Sequence, residues 1–466
     1  MQPIEAGILL QGLAEPGQTA GKQISAVVTD SRVICPDCVF VCFPGQRVDG
    51  HDFAAQAIRQ GAAFVVANHP VEGVPTEQLI LCPSSHQAMM TMGANYRRCF
   101  NPLMIGVTGS VGKTTTKEFC YAVLSAFGSA MKTEGNQNNE IGVPNTLFRL
   151  EDSTRYAVVE MGMSALGEIH RLSCAARPNA GIITCIGVSH LETLGSRENI
   201  LKAKLELCDG LPEGAPLALN GDDEYLRRAQ QQGQLPGHVR PVWFSLEDRE
   251  ADVWASEIEA TAQGQHFYLN DRLHGRFEVY IPALGRHSVS DALAAYAAAT
   301  RLGLDPQVCA QALGQYRSTG MRQNIRQVGG ITFVEDCYNA SPDSMKASLS
   351  MFEQYPCSGR KFALLGDMLE LGSLEQQAHR QAGCWAAGAG LKALAAVGPA
   401  SREMAQQAGE MGLEAHWFEQ PEQAACWLLE VLKPGDALLA KASRGIKLEA
   451  VLNAVYEHLE DVKKSE

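Results

Sequence analysis

A chain of 466 residues is too long for one hydrophobic core, and at about 150 residues per domain it predicts three. Its composition, 45% hydrophobic and 20% charged, is that of a soluble globular protein, and no apolar run reaches the roughly 18 residues of a membrane span. A net charge of −13 argues against a nucleic-acid partner gripped by its phosphates, yet leaves room for a nucleotide held by local N–H groups and one or two cations.

The first residues, Met1-Gln2-Pro3-Ile4-Glu5, show no basic region leading into an apolar core, so no signal peptide is expected. Most of the fourteen cysteines lie in apolar runs (Cys42, Cys82, Cys120, Cys185, Cys309) and read as reduced, buried thiols of a cytoplasmic protein. The lone Cys35-Pro36-Asp37-Cys38 has no second pair at zinc-ligand spacing and reads as a loop. Residues 1–100 alternate apolar runs at 24–28, 39–43, 63–66 and 79–81 with helical patterns at 56–61 and 86–98, which predicts a small α/β domain. Thr29-Asp30-Ser31-Arg32 and Gly45-Gln46-Arg47-Val48-Asp49-Gly50-His51-Asp52-Phe53 are equally turns or ligand-binding loops.

The next stretch organises the chain. Apolar Leu103-Met104-Ile105 leads into Gly106-Val107-Thr108-Gly109-Ser110-Val111-Gly112-Lys113-Thr114-Thr115, and a helix is expected over 117–125. Glycines 109 and 112 permit a tight turn with inward N–H groups at a helix start; Lys113 reaches β- and γ-phosphates and Thr114 a Mg²⁺ ion. The strict P-loop pattern wants glycine where Val107 stands. Buried strands follow at 157–159, ending at Glu160, and at 181–186, running out to Ser189-His190. Strand ends share one edge of a parallel sheet, so Glu160 and His190 are expected beside the phosphate turn as Mg²⁺ ligands.

A helix over 197–209 sets Leu201, Leu205 and Cys208 on its apolar face, and its Lys202 and Lys204 read as solvated cations. Residues 242–282 alternate like strands, and an alanine-rich helix over 290–302 closes this unit. Beyond 319, runs at 331–336, 361–367, 393–397, 415–418 and 437–440 predict a second doubly wound sheet without a phosphate loop. Residues 336–342 and 366–372 are polar turns, and the tail from 462 to 466 reads as frayed.

With these residues set out, the chain resembles the Mur ligase family nearly end to end, and within it the type that adds D-alanyl-D-alanine. The phosphate loop fits that family's G-x-T-G-[ST]-x-G-K-[ST] form. The resemblance implies a small α/β domain (1–100) binding a UDP-sugar, a central P-loop ATPase-like doubly wound domain (101–318), and a Rossmann-like C-terminal domain (319–466) that binds D-Ala-D-Ala and completes the ATP site. It implies substrate contacts at Ser31, Arg32 and Asp49, at Asn138 and Asn139 within Gly135 to Pro144, and at Tyr338 and Asn339. ATP contacts fall on Thr108 to Thr115, Asp291, Arg322 and Asp336. Metal ligands are Thr114, Glu160, His190 and Lys204, the last carbamylated by CO₂; Lys113, His190, Lys204 and Arg322 are the catalytic set. Lys441-Ala442-Ser443-Arg444-Gly445 resembles the family's C-terminal motif, and the D-N-P-R motif of diaminopimelate-adding relatives is absent.

The activity implied is ATP-dependent joining of D-Ala-D-Ala to UDP-N-acetylmuramoyl-tripeptide through an acyl phosphate, with Mg²⁺, by a cytoplasmic monomer. One departure stands out: the family's second Asn before the alanine-rich helix is Asp291 here, which can accept from an adenine amino group but cannot donate back. The rival expectations are a sibling amide ligase, adding another amino acid or resembling folylpolyglutamate synthase, and a nucleotide-binding relative without ligase activity.

Overall fold

The computed structural model describes residues 1–45, 48–320 and 322–465. Gln46 and Arg47 of the second polar cluster, Met321, and Glu466 of the tail lie outside them. Among the described residues, three sheets of four, nine and six strands form, with a separate two-stranded pair.

The first sheet is fully parallel, in the order Ala26–Val28, Cys38–Val41, Phe64–Ala67, Leu79–Leu81. Its two middle strands are buried on both faces, which is why their sequences are unbroken apolar runs. The expected strand at 24–28 is divided. Gln23–Ile24 pairs with Ile4–Glu5, while Ser25 turns away to bond Asp37 O through its N–H and Pro36 O through its hydroxyl. The helix expected at 56–61 runs Ala54–Arg59, and that at 86–98 runs Ser85–Arg97, capped by the Ser84 hydroxyl accepting from Gln87 N.

The last turn of Ser85–Arg97 is built into the second unit. Tyr96 Oη donates to Leu150 O at 2.8 Å, and Arg97 donates to Ala176 O at 2.8 Å and Phe100 O at 2.6 Å. Burial, with Arg177 alongside, draws the Arg97 guanidinium down to about 10. One apolar cluster runs without a break from Leu9, Val41 and Phe64 through Met89 and Tyr96 to Met104, Leu147, Leu172 and Leu207.

The nine-stranded sheet runs Gly275–Ile281, Gln265–Asp271, Val253–Ala260, Val239–Ser245, Ala215–Asn220, Ala180–Ile183, Leu103–Thr108, Tyr156–Glu160, Ala130–Lys132. It is parallel except for the antiparallel pairings of the first three strands. Sequence patterning missed Ala130–Lys132, which is too short for periodicity, and Ala215–Asn220. After Leu103–Thr108 the chain builds outward on one side and then returns to the other, so a topological switch point falls at the end of this strand. The alanine-rich helix is Arg286–Arg301; its small side chains share a core with Phe119, Cys120 and Val123 of Lys113–Ser125.

The six-stranded sheet runs Asn324–Val328, Ile331–Glu335, Ala437–Lys441, Lys361–Gly366, Ala393–Val397, Glu414–Phe418, antiparallel only at its first pair. That first pair is a hairpin turning on Gly329 and Gly330, whose positive φ (57° and 74°) suits a two-residue turn. The polar edge strand Asn324–Val328 carried no apolar signal and was not anticipated. The last helix, Glu449–Ser465, is helical through residues read as frayed. Apolar clusters fill both faces of this sheet, and among the described residues Leu284 alone enters them from the second unit.

Candidate active site

The strand Leu103–Thr108 is buried and ends in a left-handed turn: Gly109 at φ 150° and Gly112 at φ 87°. A Cβ on Gly109 would clash with Thr184 Oγ1, and one on Gly112 would stand 2.5 Å from Asp291 Oδ1, so only glycine fits either place. The helix begins at Lys113, not at 117 as expected, because Gly112 caps it directly. Lys113 folds back over the turn, its Nζ donating to Gly109 O at 2.8 Å and Ser110 O at 3.3 Å. Burial pulls its amine below the usual lysine range; Glu160 opposes this shift and Arg322 adds to it.

Beside the turn, Glu160 is nearly inaccessible and doubly held. Thr114 Oγ1 donates to its Oε2 at 2.9 Å and Asn138 Nδ2 to its Oε1 at 2.8 Å. Sequence reasoning missed Lys117, one helical turn after Lys113; its buried Nζ lies 3.9 Å from Glu160 Oε2, 3.1 Å from Glu118 Oε1 and donates to Thr133 O. Its signal was the i, i+4 spacing from Lys113.

His190 stands past the neighbouring strand Ala180–Ile183 in left-handed backbone (φ 62°), its Nδ1 3.1 Å from Glu370 Oε2 of the third unit. Burial, and secondarily Lys113, hold its imidazole below the ordinary histidine value. Lys204, on Arg197–Leu205, is 2% exposed, whereas Lys202 faces solvent. Reading both as solvated cations is therefore corrected for Lys204. Burial drives its amine well below the lysine range, with Lys113 pushing the same way. A buried cation without a carboxylate partner among the described residues is unfavourable, which shifts Lys204 toward its neutral amine.

Across a cleft of about 570 Å³ stand residues of the third unit. Arg322 stacks on the Tyr338 ring at 4.1 Å. Asp336 Oδ2 accepts from Lys441 Nζ at 2.6 Å and Ser348 Oγ at 2.7 Å, and Lys441 also donates to Asn339 O. Asp291 lines the same cleft; Thr116 Oγ1 donates to its Oδ1 at 3.0 Å, and burial raises its carboxyl well above the usual range. His287 is drawn down to about 4 by burial and meets Gln323 Nε2 at 2.6 Å.

The cleft therefore gathers Ser110 to Thr115, Asn138, Asn139, Glu160, His190, Asp291, Arg322, Asp336, Tyr338 and Asn339. Thr108, Gly109 and Lys204 do not line it; Thr108 and Lys204 are buried. Ser31, Arg32 and Asp49 lie on the first unit outside the cleft. Arg32 is exposed and pairs with Asp30 at 2.6 Å, holding that carboxyl down to about 2, while the Asp49 side chain accepts from His51 N. Among the described residues no group of three or more histidine, cysteine and acidic side chains forms a metal cluster, and no helix is long and apolar enough to cross a membrane.

Family models match in chain order: Mur ligase family, catalytic domain, over residues 23–105; Mur ligase middle domain over 107–299; and Mur ligase, glutamate ligase domain, over 321–444. The chain is 37% identical over 444 residues to the UDP-N-acetylmuramoyl-tripeptide–D-alanyl-D-alanine ligase of Bacillus subtilis, covering 93% of each. Crystal structure I of MurF from Acinetobacter baumannii superposes with a TM-score of 0.89 at 29% identity, over 98% of this chain and 99% of that one. The MurF ligase of Thermotoga maritima in complex with ADP superposes with a TM-score of 0.83 at 28% identity, over 94% and 98%.

Proposed function

The chain belongs to the Mur ligase family, and from that membership and its cleft we propose that it joins D-alanyl-D-alanine to UDP-N-acetylmuramoyl-tripeptide at the expense of ATP, in the cytoplasm and as a monomer. The supporting observation is one cleft shared by the turn Ser110–Thr115, Glu160 and the Arg322/Tyr338/Asp336 group. In this reading residues 1–100 hold the UDP-sugar through Ser31, Arg32 and Asp49, 101–318 hold ATP, and 319–466 bring D-Ala-D-Ala and close the nucleotide site.

The reaction opens with the tripeptide carboxylate attacking the γ-phosphate, giving an acyl phosphate and ADP. The amine of D-Ala-D-Ala then attacks the acyl carbon and phosphate leaves from a tetrahedral intermediate. Two anions meet in the first step, so the work is charge neutralisation and alignment. Inward N–H groups of the turn and the Lys113 amine receive the β- and γ-phosphates, and the approaching charge favours the protonated lysine. Asn138 and Asn139 face the muramoyl peptide. Arg322, propped on Tyr338, and Asp336, anchored by Lys441, reach ATP from the far wall, and closure of that wall keeps water from the acyl phosphate.

The donors fit two Mg²⁺ ions unequally. The Thr114 hydroxyl and Glu160 carboxylate are hard oxygen donors already 2.9 Å apart. His190 and Lys204 fit a second ion only after the lysine gains oxygens. Its neutral amine is the form that attacks CO₂, and a carbamate presents two oxygens. When bound, Mg²⁺ supplies neutralisation of the triphosphate.

Phosphate release measured with defined UDP-tripeptides tests the reading. Release that requires D-Ala-D-Ala supports it. Release with folate and glutamate instead, or ATP binding with no product from any amine, overturns it.

A further inference from the structure

The run from Leu365 to Gly372 marks the chain in its sequence, yet the chemistry above makes no use of it. The structure pins this turn from within. Asp367 Oδ1 accepts from Ser401 N at 2.7 Å and Ser401 Oγ at 2.6 Å, Met368 N donates to His379 Nε2 at 3.0 Å, and Leu369 N donates to Ser443 Oγ at 3.0 Å. What the pinned turn presents is Glu370, in left-handed backbone (φ 63°) that L side chains rarely adopt. The side chain it meets, His190, is left-handed too, at φ 62°. Two non-glycine residues from different units hold this conformation where they touch, with His190 Nδ1 3.1 Å from Glu370 Oε2.

The surroundings hold the pair in register. Gly372 lies flat on the helix Leu191–Leu194, where a Cβ would stand 3.3 Å from Glu192 Cβ. On the other side of the loop, Asp343 Oδ2 accepts from Val188 N at 3.3 Å. Two acids of the third unit thus grip the segment 187–192. Glu370 is 66% exposed, so aligning its carboxylate with the imidazole N–H takes only rotation of a free side chain, and apo contacts of this kind tighten when a site is filled.

We propose that Glu370 is the positioning residue for His190: by accepting from the Nδ1–H it keeps the proton on that nitrogen and leaves the Nε2 lone pair for the metal, so that this ligand is set only when the third unit is docked. A carboxylate on the far nitrogen of a ligating histidine orients the ring and raises its basicity. The proposal rests on the reading of His190 as a metal ligand.

The test uses the full chain with ¹⁵N-labelled histidine, its His190 signals identified by their loss in His190→Gln. In wild type without metal or nucleotide, Nδ1 is expected to carry the proton. In Glu370→Ala the signals should move to the Nε2-protonated form, and in Glu370→Gln, whose carbonyl still accepts, they should stay. In turnover assays Glu370→Ala should raise half-saturating Mg²⁺ about tenfold while the KM for UDP-tripeptide holds within about twofold, with Gln largely restoring it. Unchanged His190 signals in Glu370→Ala, or equal loss in both variants, overturn the proposal. Wild type that turns over none of the substrates overturns the functional reading instead, while the ¹⁵N signals still decide the tautomer.

Discussion

At the scale of single residues, two lysines and an aspartate carry separable expectations. Lys113→Ala is expected to lower turnover at least about a thousandfold, since in the proposed reaction it would remove charge stabilisation at the transferred phosphoryl group, while calorimetry should find binding of the UDP substrate retained. Lys204→Ala is expected to be inactive and partly rescued by small carboxylic acids that stand in for the carbamate; full activity without rescue disposes of carbamylation. Asp291 makes a prediction of opposite character. Burial raises its carboxyl well above the ordinary aspartate range, so the folded state holds this proton more tightly than the unfolded chain. That stabilisation is complete below the unfolded value and is lost as pH rises through the folded one. Asp291→Asn cannot ionise. It should match wild type in thermal midpoint near about pH 4 and exceed it increasingly toward about pH 8. Wherever Asp291 keeps that proton, its carboxyl donates as well as accepts, as the asparagine expected at this position would. Lys204 shows where sequence reading stopped short: its helix pattern gives no sign that position 204 is buried while 202 is not, since that depends on what packs over the helix.

At the scale of elements, the turn from Gly109 to Gly112 was legible because its backbone signal is local. Strand, glycine turn and helix appear in order within a few residues, and the structure needed to correct only the helix start, from 117 to 113. Gly112→Ala is expected to destabilise by at least about 1 kcal/mol, from the left-handed φ alone, and to weaken nucleotide binding by displacing Asp291; urea unfolding and nucleotide titration measure the two effects separately. Elements whose signal is not local were missed. Ala130–Lys132 is a three-residue strand completed by its neighbour, and Asn324–Val328 is a polar edge strand announced only by the Gly329-Gly330 turn. Glu370 and His190 are of this kind: each stood inside a recognised motif, but their meeting is a property of the folded chain.

At the scale of the whole molecule, the two joints differ in kind. The first is apolar and continuous, with one cluster running from Leu9 to Leu207 and Tyr96 and Arg97 bonded to main-chain carbonyls across it. Apart from Leu284, which enters the third unit's apolar core, the joint to the third unit rests among the described residues on a few polar contacts: Thr319 with Glu118, Gln323 with His287, Asp343 with Val188, Glu370 with His190. Hydrogen bonds of this sort contribute about 1 kcal/mol each, so this joint opens cheaply and its closure can be driven by substrate. Cutting the gene in two makes the difference visible. Fragments severed near residue 319 are expected to be soluble apart and to restore ligase activity when mixed with substrates, whereas severance near residue 100 tears a shared core and should yield only aggregate.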